Sequence, residues 1–257
     1  MQPGGNILEI RNLSAGYRSS ALPLSGKGGI KTILHDINLD IGRDEFFGVL
    51  GESGCGKSTL AKAVLGLLPH SGSISLGGSV QAVFQDPLSS LDPRHTVGFT
   101  VEEPLAVQHT LSKKERERKA DAMLEKVGLD SSYRKRLPAE LSGGQRQRVC
   151  IAAALITEPK LLVADEAISS LDVSVGAQIL NLFRELHEQM EFAMMFISHN
   201  LDVVYYLCSR VAVMQKGRIV ETGPVEDVYT RPQDNYTRQL LGGYNGGFTP
   251  PPREGLD

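Results

Sequence analysis

The stretch FFGVLGESGCGKSTLAKAVLGLL, Phe46 to Leu68, decides the fold. It opens with a short apolar run, passes through the pattern G-x-x-x-x-G-K-[ST], and continues as a helix-length segment. Strand, glycine loop and helix in that order make a phosphate cradle. Gly51, Gly54 and Gly56 let backbone N–H groups converge on oxygen atoms. Lys57 supplies a fixed positive charge to the outer phosphates, and Ser58 a hydroxyl to Mg2+. Glu52, Ser53, Cys55 and Thr59 complete the phosphate-binding stretch. The plainer alternative, a glycine-rich turn before a helix, gives no reason for Lys and Ser at those two places.

Outward from this stretch, short apolar runs recur: ILEIR, TILHDINLDI, VQAVF, KLLVA, FAMMFIS and VAVMQKGRIVETG. Helix-length segments such as RQRVCIAAALI and GAQILNLFRELHEQM lie between several of them, and this alternation predicts an α/β architecture with a mostly parallel sheet. ILEIR and TILHDINLDI instead alternate apolar and polar residues, as in an antiparallel sheet with one covered face. The Ser/Gly/Pro-rich RSSALPLSGKGGI between them reads as a long loop. Residues from roughly 88 to 150 read as a helical subdomain inserted in the α/β core, and the Gly/Pro-rich end, 243–257, as a poorly ordered tail.

A phosphate loop needs a second element to hold metal and water. KLLVADE delivers Asp165 and Glu166 at the carboxyl end of an apolar strand, where open α/β sheets bind ligands. Asp165 is then a Mg2+ holder and Glu166 the group that orients and deprotonates water. Taken alone, two acids after an apolar run more often mark a strand leaving the core. Gln85, after VQAVF, is positioned for Mg2+ or the water, although a strand-end Gln usually meets solvent. His199, after FAMMFIS, is a candidate donor to the γ-phosphate, although a strand-end His is more often an ordinary surface or core residue.

Composition narrows the class. A formal charge of −3 over 257 residues, with no long Lys/Arg block, argues against a dominant attraction to nucleic acid or anionic lipid. The mixed-sign run SKKERERKADAMLEKVGL reads as a solvated helix face. Cys55, Cys150 and Cys208 form no metal-ligand spacing and fit a reducing compartment. The N-terminus lacks signal-peptide character and no run approaches the roughly 18 apolar residues of a membrane span, so the expected place is the cytoplasm, with any membrane role exercised through partners.

LSGGQ, Leu141 to Gln145, looks like a second anion site at a helix N-terminus in a chain that already has a better one. In order, GESGCGKS, VFQDP, LSGGQ, LLVADE, SSLD and FISHN resemble the nucleotide-binding subunit of ATP-binding cassette (ABC) transporters over nearly the whole chain. The resemblance implies a P-loop ABC ATPase core with an antiparallel β subdomain and an inserted α-helical subdomain, spanning 1–242. It implies ATP and Mg2+ as cofactors, with Ser58, Gln85 and Asp165 around the metal and Glu166, His199, Lys57 and Gln85 in catalysis. It also removes the redundancy, because two cassettes pack head-to-tail in that family. Ser142, Gly143, Gly144 and Gln145 then cover the partner's ATP, Asp172 in SSLD lies at the shared interface, and Tyr17 stacks on adenine.

FQDPLSSLDPRHTV, ISHNLDVV and the tail with YTRQLL are similar to the importer branch for oligopeptides, dipeptides and nickel. That likeness implies a second, non-identical ATPase subunit, two transmembrane permeases, an extracytoplasmic binding protein, and a site on the cytoplasmic face of the inner membrane. Ala167 in place of the usual Pro, RVCIAAAL, and only 28 positions between Lys57 and Gln85 lean toward nickel or metal-chelate relatives, with an oligopeptide or dipeptide importer as the alternative. The tail lacks a cysteine cluster, so no iron–sulfur centre is expected. A different class, a soluble ABC ATPase acting on DNA or ribosomes, usually carries two cassettes or a coiled-coil insertion. A nucleotide-binding scaffold without turnover does not need both Glu166 and His199.

Overall fold

A computed structural model describes residues 5–18 and 30–242. The loop expected between the first two strands and the tail from 243 onward lie outside the described residues. In chain order the elements begin with β1 (Asn6–Arg18), β2 (Ile30–Gly42), β3 (Phe46–Leu50), α1 (Lys57–Val64), β4 (His70–Leu76) and β5 (Val80–Val83). Then come α2 (Pro87–Ser90), α3 (Val97–Val107), α4 (Lys113–Lys126), α5 (Gly143–Leu155), β6 (Leu161–Asp165) and α6 (Val173–Met190). β7 (Ala193–Ile197), α7 (Leu201–Leu207), β8 (Arg210–Gln215), β9 (Arg218–Pro224), α8 (Val225–Thr230) and α9 (Asn235–Gly242) complete the order.

The chain forms two compact units. The first runs to Gly78 and resumes at Ala193. Within it β1 pairs antiparallel with both β2 and β4, which makes the expected antiparallel sheet. β4, HSGSISL, was not foreseen, because its small polar residues are mostly exposed and carry little apolar alternation. β3 lies between β7 and β8, parallel to both, and β9 adds antiparallel to β8. All five residues of β3 and of β7 are buried, which explains their unbroken apolar sequences. Phe47 and Phe196 are wholly buried in this core.

The second unit is Ser79–Phe192. Here β5 runs parallel to β6, with Val83 opposite Ala164. The helices α2 to α5 lie between Pro87 and Leu155, and α6 buries Ile179, Leu180, Leu182, Phe183 and Leu186 on one face. The start of α4 is set by a capping box in which Ser112 and Glu115 satisfy each other's backbone N–H groups. The charged run therefore begins as a well-capped helix. Its Arg134 neighbour ties α3 to α4 through ion pairs with Glu102, Glu117 and Asp121.

Candidate functional site

In the first unit the chain leaves β3 at Leu50 and turns through Gly51 to Gly56 into α1. Gly51, Gly54 and Gly56 have φ of 153, 80 and 116°. A Cβ on Gly51 would lie 2.3 Å from the carbonyl oxygen of Met214, so only glycine lets the loop pass this close to β8. Gly56 caps α1 without a side-chain hydrogen bond, which leaves the first-turn N–H groups and the positive end of the helix dipole for a ligand. Lys57 is buried, and its Nζ donates to the carbonyls of Gly51 at 2.7 Å and Glu52 at 3.0 Å. Two neutral carbonyls do not cancel a buried ammonium, and an anion completes it. Ser58 is exposed beside it, and Thr59 and Cys55 are buried. Burial raises the Cys55 thiol pKa above its ordinary range.

Tyr17, two-fifths exposed on β1, has Lys62 of α1 over its ring at 5.7 Å. That places an accessible aromatic face next to the phosphate-loop helix. His199 follows β7, whose Ile197 pairs with Val49 of β3, and the Ser198 N–H donates to the Val49 carbonyl. His199 therefore emerges, exposed, at the same carboxyl edge from which the loop leaves. Tyr236 was not foreseen: its hydroxyl accepts from the Glu52 N–H at 3.2 Å. Its only sequence signal was membership of the YTRQLL segment.

In the second unit Gln85, Asp165 and Glu166 gather at the carboxyl edge of β5 and β6. Asp165 ends β6 and is buried. Glu166 follows with φ 51°, a left-handed backbone uncommon for a residue with a side chain. The turn that holds it is closed by Ser169, whose N–H and hydroxyl both donate to the Glu166 carbonyl. Ser170 reaches back to donate to the Gln85 carbonyl at 3.1 Å. Gln85 and the two acids are thus joined by one short segment.

The LSGGQ residues, the signature that the family resemblance assigns to the partner's ATP, form the start of α5. Ser142 caps the helix in a box with Gln145, and the Gln145 amide donates to the Tyr133 hydroxyl at 2.9 Å. Asp172 caps α6 by accepting from the Val175 N–H at 2.9 Å. A Cβ on Gly144 would meet the Val175 methyl at 2.5 Å, so the two helix starts approach each other across a glycine. Ser142 to Gln145 and Asp172 are brought together, which their spacing in sequence did not predict. Gln147, two residues after the motif, is wholly buried, and neither amide atom is hydrogen-bonded among the described residues.

The same unit holds a cavity of about 240 Å³ lined by Phe84, Leu91, Thr100, Pro104, Cys150 and Ala154, among others. Phe84, Leu88 and Phe99 are exposed on the elements that wall it. Burial pushes the Cys150 thiol up to about 12. All three cysteines are buried and none forms a disulfide among the described residues, as packing residues are.

A family described as ABC transporter matches residues 34–169. The chain belongs to the ABC transporter family. The match runs from β2 through the phosphate loop, the signature and the β6 acids. A glutathione import ATP-binding protein of Pectobacterium atrosepticum is 46% identical over 91% of this chain, which spans 40% of that relative's length. A protein of Brucella abortus named for peptide import is 43% identical over 90% of the chain and 73% of its own length. Among solved structures, cbiO1 of Clostridium perfringens, part of the ABC transporter complex cbiONQ, superposes with a TM-score of 0.75 at 28% identity, covering 91% of this chain and 95% of that one. The ATP-binding cassette MJ0796, a dimer bound to ADP and phosphate, gives 0.73 at 26% identity over 85% and 98%. The expected ABC ATPase fold is the observed one, and the chain is an ATP-hydrolysing domain of that family. Among the described residues no helix is long and apolar enough to cross a membrane.

Proposed function

We propose that this chain is the ATPase subunit of an ABC importer for short peptides, the class to which glutathione belongs. The buried Lys57 ammonium, bonded to two backbone carbonyls within a glycine loop, is the observation that carries the nucleotide reading. The cargo rests on the relatives. Those at 46% and 43% identity are named for glutathione and peptide import, which favours the peptide alternative over the nickel or metal-chelate reading. Ala167 and the short spacing to Gln85 are then features of this chain and not marks of metal transport.

In this reading the loop from Gly51 to Thr59 wraps the phosphates, Lys57 neutralises the outer ones, and Tyr17 stacks on adenine. Ser58, Gln85 and Asp165 offer the hard oxygen donors that suit Mg2+, which supplies charge neutralisation on the phosphates when bound. Glu166 takes a proton from the attacking water, and His199 donates to the γ-phosphate oxygen on which charge develops. Ser142 and the N–H groups of Gly143 and Gly144 serve the ATP of a second, non-identical ATPase subunit. Asp172, already engaged in capping α6, lies at that shared interface. The cavity lined by Phe84, Leu91 and Pro104, with Leu88 and Phe99 exposed on the adjoining helices, receives a cytoplasmic helix of one of two permeases, which hold the subunit at the inner face of the membrane. An extracytoplasmic binding protein delivers the cargo to them.

The test is affinity capture of Glu166→Gln from detergent-solubilised membranes with ATP and Mg2+, followed by mass spectrometry. Two multi-span permeases and a different ATPase, encoded with a peptide-binding protein, are the expected result. Capture of ribosomal or DNA-repair proteins in their place would sink the importer reading, and a nickel-binding protein in the same set would return the cargo to metal.

A further inference from the structure

The Lys57 ammonium is held by the carbonyl of Gly51, and the Tyr236 hydroxyl accepts from the N–H of Glu52. That carbonyl and that N–H belong to one peptide unit. A trans peptide points them in opposite directions, so Tyr236 and Lys57 grip the same plane from its two sides. Gly51 leaves this plane little resistance to rotation of its own, since glycine has no side chain to restrict it. The neighbouring Glu52 carbonyl is the second acceptor for Lys57 and also receives the Cys55 N–H at 3.3 Å.

Tyr236 is itself held firmly. It is 8% exposed, in the first turn of α9. The Asp234 carboxylate accepts from the Tyr236 N–H at 2.7 Å and from the Thr237 N–H at 3.4 Å, which fixes the helix start. The Glu221 carboxylate on β9 in turn accepts from the N–H groups of Gln233 at 2.8 Å and Asp234 at 3.1 Å. A continuous set of hydrogen bonds therefore runs from β9, through the start of α9, to the phosphate loop. Burial raises the Tyr236 phenol pKa, so it stays a neutral hydroxyl and a steady acceptor at physiological pH.

We propose that Tyr236 is a positioning residue of the nucleotide site: by holding the Gly51–Glu52 peptide it aims the carbonyl that seats Lys57, and so couples the C-terminal helix to phosphate binding. The inference rests on the phosphate reading of Lys57. A single neutral hydrogen bond has a modest net value, and its loss corresponds to about a three- to tenfold effect on affinity.

The experiment uses the full chain and its Tyr236→Phe, Lys57→Ala and doubly substituted forms, with a methylanthraniloyl-labelled ATP as the probe. Tyr236→Phe keeps the buried ring, and the Glu52 N–H it releases is on an exposed residue that water can serve. The expected result is labelled-ATP affinity weakened three- to tenfold, KM for ATP raised in step, kcat within about twofold, and an unchanged melting temperature. On the Lys57→Ala background the same substitution has no further effect. Asp234→Ala, which loosens the seat of Tyr236, weakens affinity in the same direction. Unaltered affinity in Tyr236→Phe, or an equal loss with and without Lys57, overturns the proposal. Full affinity in Lys57→Ala alone would instead remove the phosphate reading beneath it.

Discussion

Glu166 carries its carboxylate on a left-handed backbone, φ 51°, a conformation that costs an L-residue about 1–2 kcal/mol and persists only where the surroundings impose it. The two hydrogen bonds from Ser169 to its carbonyl impose it here. Glu166→Gln keeps that backbone and removes the carboxylate that acts as base in the proposed function. Turnover should fall about 10²- to 10⁴-fold while nucleotide binding persists. Steady-state hydrolysis alongside equilibrium binding checks this, and normal turnover would strip Glu166 of its role. Cys150 makes a pH prediction. Its thiol is raised from 9.0 to about 12, chiefly by burial and secondarily by Asp86. Between those values the unfolded thiol ionises while the folded one stays protonated. The unfolded state then binds fewer protons, and stability falls as pH rises, by at most about 1.4 kcal/mol per pH unit. Cys150→Ala should show a shallower decline in denaturation midpoint between pH 9 and 10.5, and an identical slope would exclude Cys150 as its source.

At the scale of elements, the contact between the starts of α5 and α6 is set by Gly144 facing Val175. Gly144→Ala places a methyl 2.5 Å from the Val175 side chain, an overpacking worth about 1–3 kcal/mol, against which the better helix propensity of alanine returns at most about 1. The melting temperature should fall, and Val175→Ala in the same chain should recover most of it. Additive losses in the double variant would place the cost elsewhere. Gln147 lies one helical turn further along α5 with both amide atoms buried. Gln147→Met exchanges an unsatisfied amide for an apolar chain of similar size, so thermal stability should hold or rise. A loss above about 2 kcal/mol would mean that the amide has a structural partner after all.

At the scale of the whole molecule, the single chain offers one phosphate loop and one signature, and in this reading the signature acts on another cassette. Glu166→Gln with ATP and Mg2+ should therefore elute at the mass of a cassette pair when mixed with its partner ATPase, and as separate subunits with ADP. Ser142→Ala should weaken that association and also cost about 1 kcal/mol of helix capping. Size-exclusion chromatography with light scattering separates the two effects from a melting curve. Association indifferent to nucleotide would count against the head-to-tail arrangement.

Much of this was readable in the sequence because the chemistry is local. A glycine loop followed by Lys and Ser constrains eight consecutive residues, each backbone conformation is demanded by its neighbours, and no distant contact is needed to recognise it. The apolar strands β3, β6 and β7 were equally plain, since complete burial leaves an unbroken apolar run. β4 was missed because exposed small residues carry no such pattern. Tertiary structure alone decided which strand ends share an edge, that Ser170, just after the acids, reaches Gln85 across 85 positions, and that Tyr236 reaches Glu52 across 184. Those partners are chosen by the course of the backbone between them, and hydrogen bonds of a single hydroxyl leave no periodic trace in the chain.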